Sequence, residues 1–386
     1  MLLPEKVIAA LQEAAPSFRI ASKELSNEID HLRQNVSAHK SLNSEEILRR
    51  LGWSEHAPGA YPTSERDLTE DDWLPCNHLP PDNSVMEEWK TWAQKTLSHV
   101  ITCAVDGSQI FPSGDWGLPL GAVQIATFEN SHDGRYSKSI NFEVIPPTDF
   151  SAKNDDLSMR GIVSERRHRA EAAALASWMN SESPAGSSRL AIFDGTLITS
   201  FASGVDRPLY VKSITSLLEA SANSKTPLVA YIDGSRARDL SNMHAHLAGM
   251  PSTRVADSAL LAESVWGSRT PAYICARNQG LEDYGEWSRE IGFLYLRSTR
   301  DGRPARLEFP TWIIHDGLLE EIVNQIRAEI IAQGSGYPYG IEAADVNAVL
   351  NSDDRQRFES ILHGFAKENG LHVSLRAKGQ SKRRRR

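Results

Sequence analysis

Three short apolar runs in this chain end alike, and the shared ending narrows what the chain can fold into. Ile101–Val105 precedes Asp106-Gly107-Ser108, Leu190–Phe193 precedes Asp194-Gly195-Thr196, and Pro227–Ile232 precedes Asp233-Gly234-Ser235. A short β-rich run stopped by Asp-Gly reads as a buried strand that ends and turns. Each such ending sets a carboxylate at the edge of a sheet, where neighbouring strands can aim acids at one point. Carboxylates brought together repel one another unless a cation lies between them. Asp-Gly is also a common turn dipeptide; its recurrence at three strand ends favours the acid cluster.

The rest of the composition bounds the chemistry. At 386 residues, 40% hydrophobic and 24% charged, the chain has the composition of a soluble globular protein with one large domain or two. No apolar run approaches the roughly 18–20 residues that a membrane span needs. The opening Met1-Leu2-Leu3-Pro4-Glu5-Lys6 lacks the basic-then-apolar pattern of a signal peptide. Cys76, Cys103 and Cys275 are scattered without a Cys-x-x-Cys pair, which argues against zinc and against a disulfide framework. The expected location is the cytoplasm. Net charge is −8, yet Arg376, Lys378 and Lys382–Arg386 make the last eleven residues strongly basic over an acidic body. Such a tail is either a salt-sensitive tether for phosphates or a solvated end without a partner.

Along the chain, residues 1–100 read as an N-terminal helical region and loop, 101–350 as the core, and 351–386 as a C-terminal helix and basic tail. Leu25, Ile29, Leu32 and Val36 recur at spacings of four and three, lining one helix face for packing, a partner or a second subunit. Residues 56–84, rich in Pro, Asp, Asn and Ser, read as loop. After Asp106, strands are expected at 122–128 and 139–145, joined by a hairpin turn at 131–135. A helix at 155–179, the second Asp-Gly strand, a helix at 210–222 and the third Asp-Gly strand follow. Residues 236–285 read mostly as helix and loop, with strands at 291–297 and 305–309 and helices to the end. Three strands, a helix, a strand, a helix and a strand make an α/β pattern with a mixed sheet, the order of a ribonuclease-H-like core flanked by helices.

In that order Asp106 and Asp194 lie on neighbouring strands, and the helix between them carries Glu165 and Glu171. Six residues amount to about 600° of helix rotation, so the two glutamates point in different directions. Glu171 opens the apolar stretch Ala172–Trp178 and is favoured as the inward acid, while Glu165 sits among arginines and reads as solvated. Oxygen ligands without His or Cys select Mg²⁺ or Mn²⁺. Two such ions about 4 Å apart can drive in-line displacement at a phosphodiester. The alternative is that these acids cap turns and pair with arginines.

Ala104-Val105-Asp106-Gly107-Ser108-Gln109-Ile110, the helix bearing Glu171, and Ile192-Phe193-Asp194-Gly195-Thr196-Leu197 together resemble the NurA nuclease family. So do Ala305-Arg306-Leu307-Glu308-Phe309-Pro310 and Gly336-Tyr337-Pro338-Tyr339, in the same order and spacing. The resemblance runs from about Ala104 to Leu362. It implies a ribonuclease-H-like fold, a homodimer, Mn²⁺- or Mg²⁺-dependent cleavage of DNA, often 5′ to 3′, and work beside a HerA-type hexameric ATPase. DNA end resection, DNA repair or phage defence would be the setting. Asp106, Glu171 and Asp194 would be metal ligands, and Tyr337 would belong to the site. Where the family carries a His eight residues after that tyrosine, this chain has Asp345. A fourth acid there would complete an Asp-Glu-Asp-Asp set; the alternative is a weakened adaptor that keeps the fold and binds DNA or the ATPase. Asp233, outside the family's catalytic set, reads as a turn residue.

Other signals lead elsewhere or nowhere. Phe193-Asp194-Gly195-Thr196-Leu197 is similar to the Asp-x-Asp-Gly-Thr loop of haloacid-dehalogenase-like phosphatases, but the nucleophile position is Ile192. No Gly-Lys-Ser/Thr occurs, so any ATP would be used by a partner. His244 and His246 read as surface residues. Arg297, Arg300, Arg303 and Arg306 surround an expected hairpin at 299–304 and are candidates to line a DNA channel.

Overall fold

The computed structural model describes residues 2–371, apart from short segments at 53–57, 70–72, 77–78, 81–83, 114–115, 152–154, 183, 185, 203–205, 262–264, 278–279 and 301. The basic tail beyond residue 371 lies outside the described residues, as does part of the loop at 299–304. Helices α1 (Pro4–Ala38) and α2 (Ser44–Leu51) precede β1 (Gly59–Pro62), α3 (Met86–Thr96) and the strands β2 (Val100–Ile110), β3 (Gly121–Asn130) and β4 (Tyr136–Ile145). Then come α4 (Asp156–Met179), β5 (Ser188–Asp194), α5 (Arg207–Ser224), β6 (Leu228–Ile232), α6 (Asp239–Leu247), α7 (Asp257–Leu260) and β7 (Tyr273–Ala276). The chain continues through β8 (Ile291–Leu296), β9 (Ala305–Pro310), α8 (Trp312–His315), α9 (Leu319–Gln333), α10 (Tyr339–Ala348) and α11 (Ser352–Glu368). Among the described residues no helix is long and apolar enough to cross a membrane.

Two compact units result. One draws on residues 1–78, 233–279 and 292–307, the other on 79–232, 280–291 and 308–386. In the second unit the strands lie in the order β6-β5-β2-β3-β4. β2, β3 and β4 form an antiparallel meander, while β5 runs parallel to β2 and β6 parallel to β5. A three-strand meander extended on its first strand by parallel strands, with a helix crossing between, is the ribonuclease-H-like mixed sheet. Its central strands are short runs of fully buried Ala104, Ala126, Ala191 and Ile192, which let helices close on both faces.

The two faces can be assigned from residue parity, because successive side chains on a strand point opposite ways. On β2, Thr102 donates to Glu329 of α9 at 2.8 Å, and a side chain at Gly340 of α10 would lie 3.5 Å from Ala104. Even-numbered residues of β2 therefore face α9 and α10. Odd-numbered Gly107 instead faces Glu171 and Arg167 of α4. On β5 the same parity holds: Ile192 faces α10, and Phe193 meets His168 of α4. Helix α4 is capped by Asp155, whose side chain accepts from Ser158 N–H at 2.8 Å.

The first unit contains features the sequence misassigned. β1 and β7 pair antiparallel, Gly59 with Ala276 through Pro62 with Tyr273, in stretches read as loop and helix. Each is four residues long, β1 bounded by glycine and proline, and carries too little alternation to register as strand. Arg306 is no channel residue. It is buried, pairs with Asp239 at 2.7 Å and stacks over Phe293 at 3.8 Å. Arg297, also buried, donates to the carbonyls of Arg300 and Gly302 and so ties its own loop. His244 is half-buried and stacks on buried His39 with ring centroids 5.9 Å apart, instead of lying on the surface.

Candidate functional site

The first Asp-Gly pair does not turn. β2 runs on through Gly107 to Ile110, with Asp106 opposite Ala126 and Gly107 opposite Ile125 on β3. The other two pairs do turn, with φ of +128° at Gly195 and +61° at Gly234. At 107 the missing side chain makes room. A Cβ there would lie 2.6 Å from Glu171 Oε1, 2.8 Å from Ile125 Cδ1 and 2.9 Å from Arg167 Cγ. Glycine thus opens a gap in the sheet face, and through it the α4 glutamate reaches acids that belong to the opposite face.

Those acids are Asp106, Asp194 and Asp345. Asp106 and Asp194 end up side by side because β2 and β5 pair in parallel with Val105 beside Phe193. Asp345, on α10, comes within hydrogen-bonding reach of the Asp106 carboxyl. Tyr337 donates its hydroxyl to Asp194 Oδ1 at 2.5 Å, and its ring meets Tyr231 edge-on, centroids 4.9 Å apart. The Tyr231 hydroxyl donates to the Gly336 carbonyl at 2.8 Å, fixing the turn that presents Tyr337. All five residues singled out from the sequence therefore meet at one place. Asp233 does not share it by construction: it is exposed, in the turn that closes β6.

Burial and clustered charge both raise the proton affinity of these acids. Burial pushes the Asp106 carboxyl up to about 6, with Asp194 and Asp345 adding to the shift against the Gly107 N–H. Burial pushes Glu171 up to about 7; Arg167 opposes the shift, and Asp106 and Asp194 reinforce it. Asp194 is raised by burial too, with Tyr337 partly offsetting it. Arg167 lies 3.5 Å from Glu171 Oε1 and donates to the Gly107 carbonyl at 2.9 Å. Even so, Glu171 Oε1 is buried without a hydrogen-bond partner. A buried carboxylate oxygen that has no hydrogen bond, with two other carboxylates raising its proton affinity, is an atom that could accept a cation. Oxygen donors alone fit Mn²⁺ or Mg²⁺. Among the described residues no three His, Cys, Asp or Glu side chains meet in a metal-binding arrangement.

Glu165 differs from its reading as a solvated acid. It is buried, and its carboxyl is raised by burial despite Arg169 at 3.7 Å. It sits six residues of α4, about 1.7 turns, away from Glu171, toward Asp206 and Tyr210. Three further residues escaped notice in the sequence. Arg167 was signalled only by its i, i+4 spacing to Glu171. His168 is mostly buried, its imidazole pushed down to about 4 by burial and Arg167, and it packs against Phe193, Phe201 and Tyr210. Phe201 carries no local signal at all.

The NurA domain matches residues 100–350 of this chain. Among solved structures, a crystal structure of NurA is 10% identical, with 90% of this chain and 97% of that chain covered and a TM-score of 0.48. A crystal structure of NurA bound to dAMP and manganese is 11% identical, covering 67% and 90%, with a TM-score of 0.34. The catalytic domain of human endonuclease V is 13% identical, covering 76% and 100%, with a TM-score of 0.33. No curated protein matches the chain. The family match rests on the domain, which spans well over half of the sequence.

Proposed function

Because this chain belongs to the NurA family of nucleases, we propose that it hydrolyses DNA phosphodiester bonds with the help of Mn²⁺ or Mg²⁺ held by Asp106, Glu171, Asp194 and Asp345. The observation that carries this reading is the buried Glu171 Oε1, which has no hydrogen bond and one ion pair at 3.5 Å, beside the acids of two strands, one of which Asp345 approaches from a second helix. A divalent ion bound there would supply a water of lowered pKa and a counter-charge for the leaving oxygen. Asp194 and Asp345 are exposed, which leaves them accessible to a nucleic-acid strand. Tyr337 holds Asp194 in a fixed rotamer through its hydroxyl, and Arg167 holds Glu171 at the gap beside Gly107. The cleavage polarity is inferred as 5′ to 3′ by kinship alone. A homodimer, a HerA-like ATPase partner, and work in DNA repair or phage defence belong to the same proposal; the lack of a Gly-Lys-Ser/Thr loop supports an energy source outside this chain.

Purified protein should cleave labelled single-stranded or duplex DNA with Mn²⁺ or Mg²⁺ and not in EDTA. Asp106→Ala and Asp194→Ala should each lower the rate by about 10²-fold or more, since each removes charge that holds the ion. Cleavage within a few-fold of wild type in both variants would exclude this site. A wild-type chain that binds DNA and does not cut it would instead favour the adaptor reading, motivated by aspartate at 345.

A further inference from the structure

A column of aromatic rings leads away from the acids on the α4 side of the sheet. Phe193, next to Asp194, meets His168 edge-on with centroids 5.9 Å apart. His168 meets Tyr210 at 4.9 Å, and Tyr210 meets Phe201 at 5.3 Å and 84°. His168 stands three residues before Glu171 on α4, one helical step along neighbouring faces. The Tyr210 hydroxyl lies within the field of Glu165, Asp206 and Glu171. The column ends at Phe201, 57% exposed to solvent.

An exposed phenylalanine on a slack loop would be unremarked. This loop is not slack. Glu308, itself buried, accepts from Thr196 Oγ1 at 2.7 Å and from Leu197 N–H at 2.8 Å. Leu197 and Ile198 are fully buried, and the Tyr284 hydroxyl donates to the Leu197 carbonyl and accepts from Thr199 N–H. Arg207 donates to the carbonyls of Thr199 and Ala202, one on each side of the phenylalanine, and is itself held by Asp283 at 2.7 Å. The chain thus clamps the backbone on both flanks of a ring that it leaves in water.

The site also needs affinity that charge does not provide. Its carboxylates repel phosphate until a cation arrives, and the chain as a whole is acidic. Nearby guanidiniums are engaged: Arg166 pairs with Glu143 and Asp149, and Arg207 with Asp283. Stacking of a base on an aromatic face is independent of net charge and tolerant of sequence. We infer that Phe201 is a stacking platform for an unpaired nucleobase of the strand whose phosphodiester lies at the acids, with Tyr210 and His168 bracing its ring. The inference rests on the nuclease reading above for the identity of the strand.

The test uses the full chain, with Ca²⁺ in place of Mn²⁺ or Mg²⁺, and single-stranded oligonucleotides bearing 2-aminopurine at successive positions. Binding by wild type should quench one position strongly. Phe201→Ala should abolish that quench and weaken binding about 5- to 150-fold, the range for one stacked base; Phe201→Tyr should keep both within about threefold. An abasic nucleotide at the quenched position should erase the difference between wild type and Phe201→Ala. No binding, no quenched position, or equal binding and quench in Phe201→Ala would each overturn the inference. Failure of the nuclease reading shows separately: wild type that stacks the base but does not cleave with Mn²⁺ or Mg²⁺ refutes cleavage alone. Cleavage with unchanged KM in Phe201→Ala refutes stacking alone.

Discussion

At the scale of single residues, burial and neighbouring carboxylates raise the proton affinity of the site. Asp106 near 6 and Glu171 near 7 bind protons in the folded state that an unfolded chain, with carboxyls near 4, has already released. Their contribution to stability is therefore full below about pH 4 and is lost as pH rises toward 7. In EDTA the melting temperature should fall between pH 5 and pH 8, and Mn²⁺ should restore it more at pH 8, where no protons compete. Glu171→Gln, which removes a titrating group, should flatten the metal-free dependence. A melting temperature independent of both pH and Mn²⁺ in the wild type would contradict this account. Residue chemistry was partly readable in advance: Asp106, Asp194 and Glu171 stood out because strand ends and helix rotation constrain direction. Gly107 was misread, because one dipeptide serves both a turn and a clearance. Glu165 was misread as solvated because arginines beside an acid in sequence say nothing about which of them is buried with it.

At the scale of elements, the long periodic segments were legible and the short ones were not. The helix expected at 155–179 is α4, and the hairpin expected at 131–135 joins β3 and β4. β1 and β7, four residues each, offer no period to detect, and their pairing arises only when distant segments meet. The loop that follows β5 is likewise a tertiary product, since Glu308 lies more than a hundred residues away from the groups it holds. Glu308→Ala would leave the Leu197 N–H without its acceptor in a fully buried place, at a cost of about 1–3 kcal/mol. Urea denaturation should register that loss, and Glu308→Gln, which keeps an acceptor oxygen, should lose less. A destabilisation under about 0.5 kcal/mol for the alanine variant would mean that the loop is held by other contacts.

At the scale of the whole molecule, charge and apolar surface are unevenly placed. Helix α1, 35 residues and about 52 Å long, buries Leu32 and Val36 against Ala245, Val255 and Leu260 in its own unit. Of the apolar face read from the sequence Leu25 is exposed, and Ile8, Leu11 and Phe18 nearer the helix start are exposed as well, so only the later part of that face is used within the unit. The five positive charges of Lys382–Arg386 follow an acidic body. Their removal should weaken binding to single-stranded DNA at low salt and reduce the logarithmic salt slope by up to about 3–4. An unchanged slope would show that the tail makes no phosphate contact. The gap at Gly107 bears on the molecule in one more respect. The depth at which Glu171 sits is not written in α4, which carries the glutamate, but in an absent side chain on β2, sixty-four residues earlier. Acid and vacancy are thus one inherited unit in two places: a helix grafted from a relative would bring its carboxylate along, and find the doorway open or shut according to a residue it does not contain.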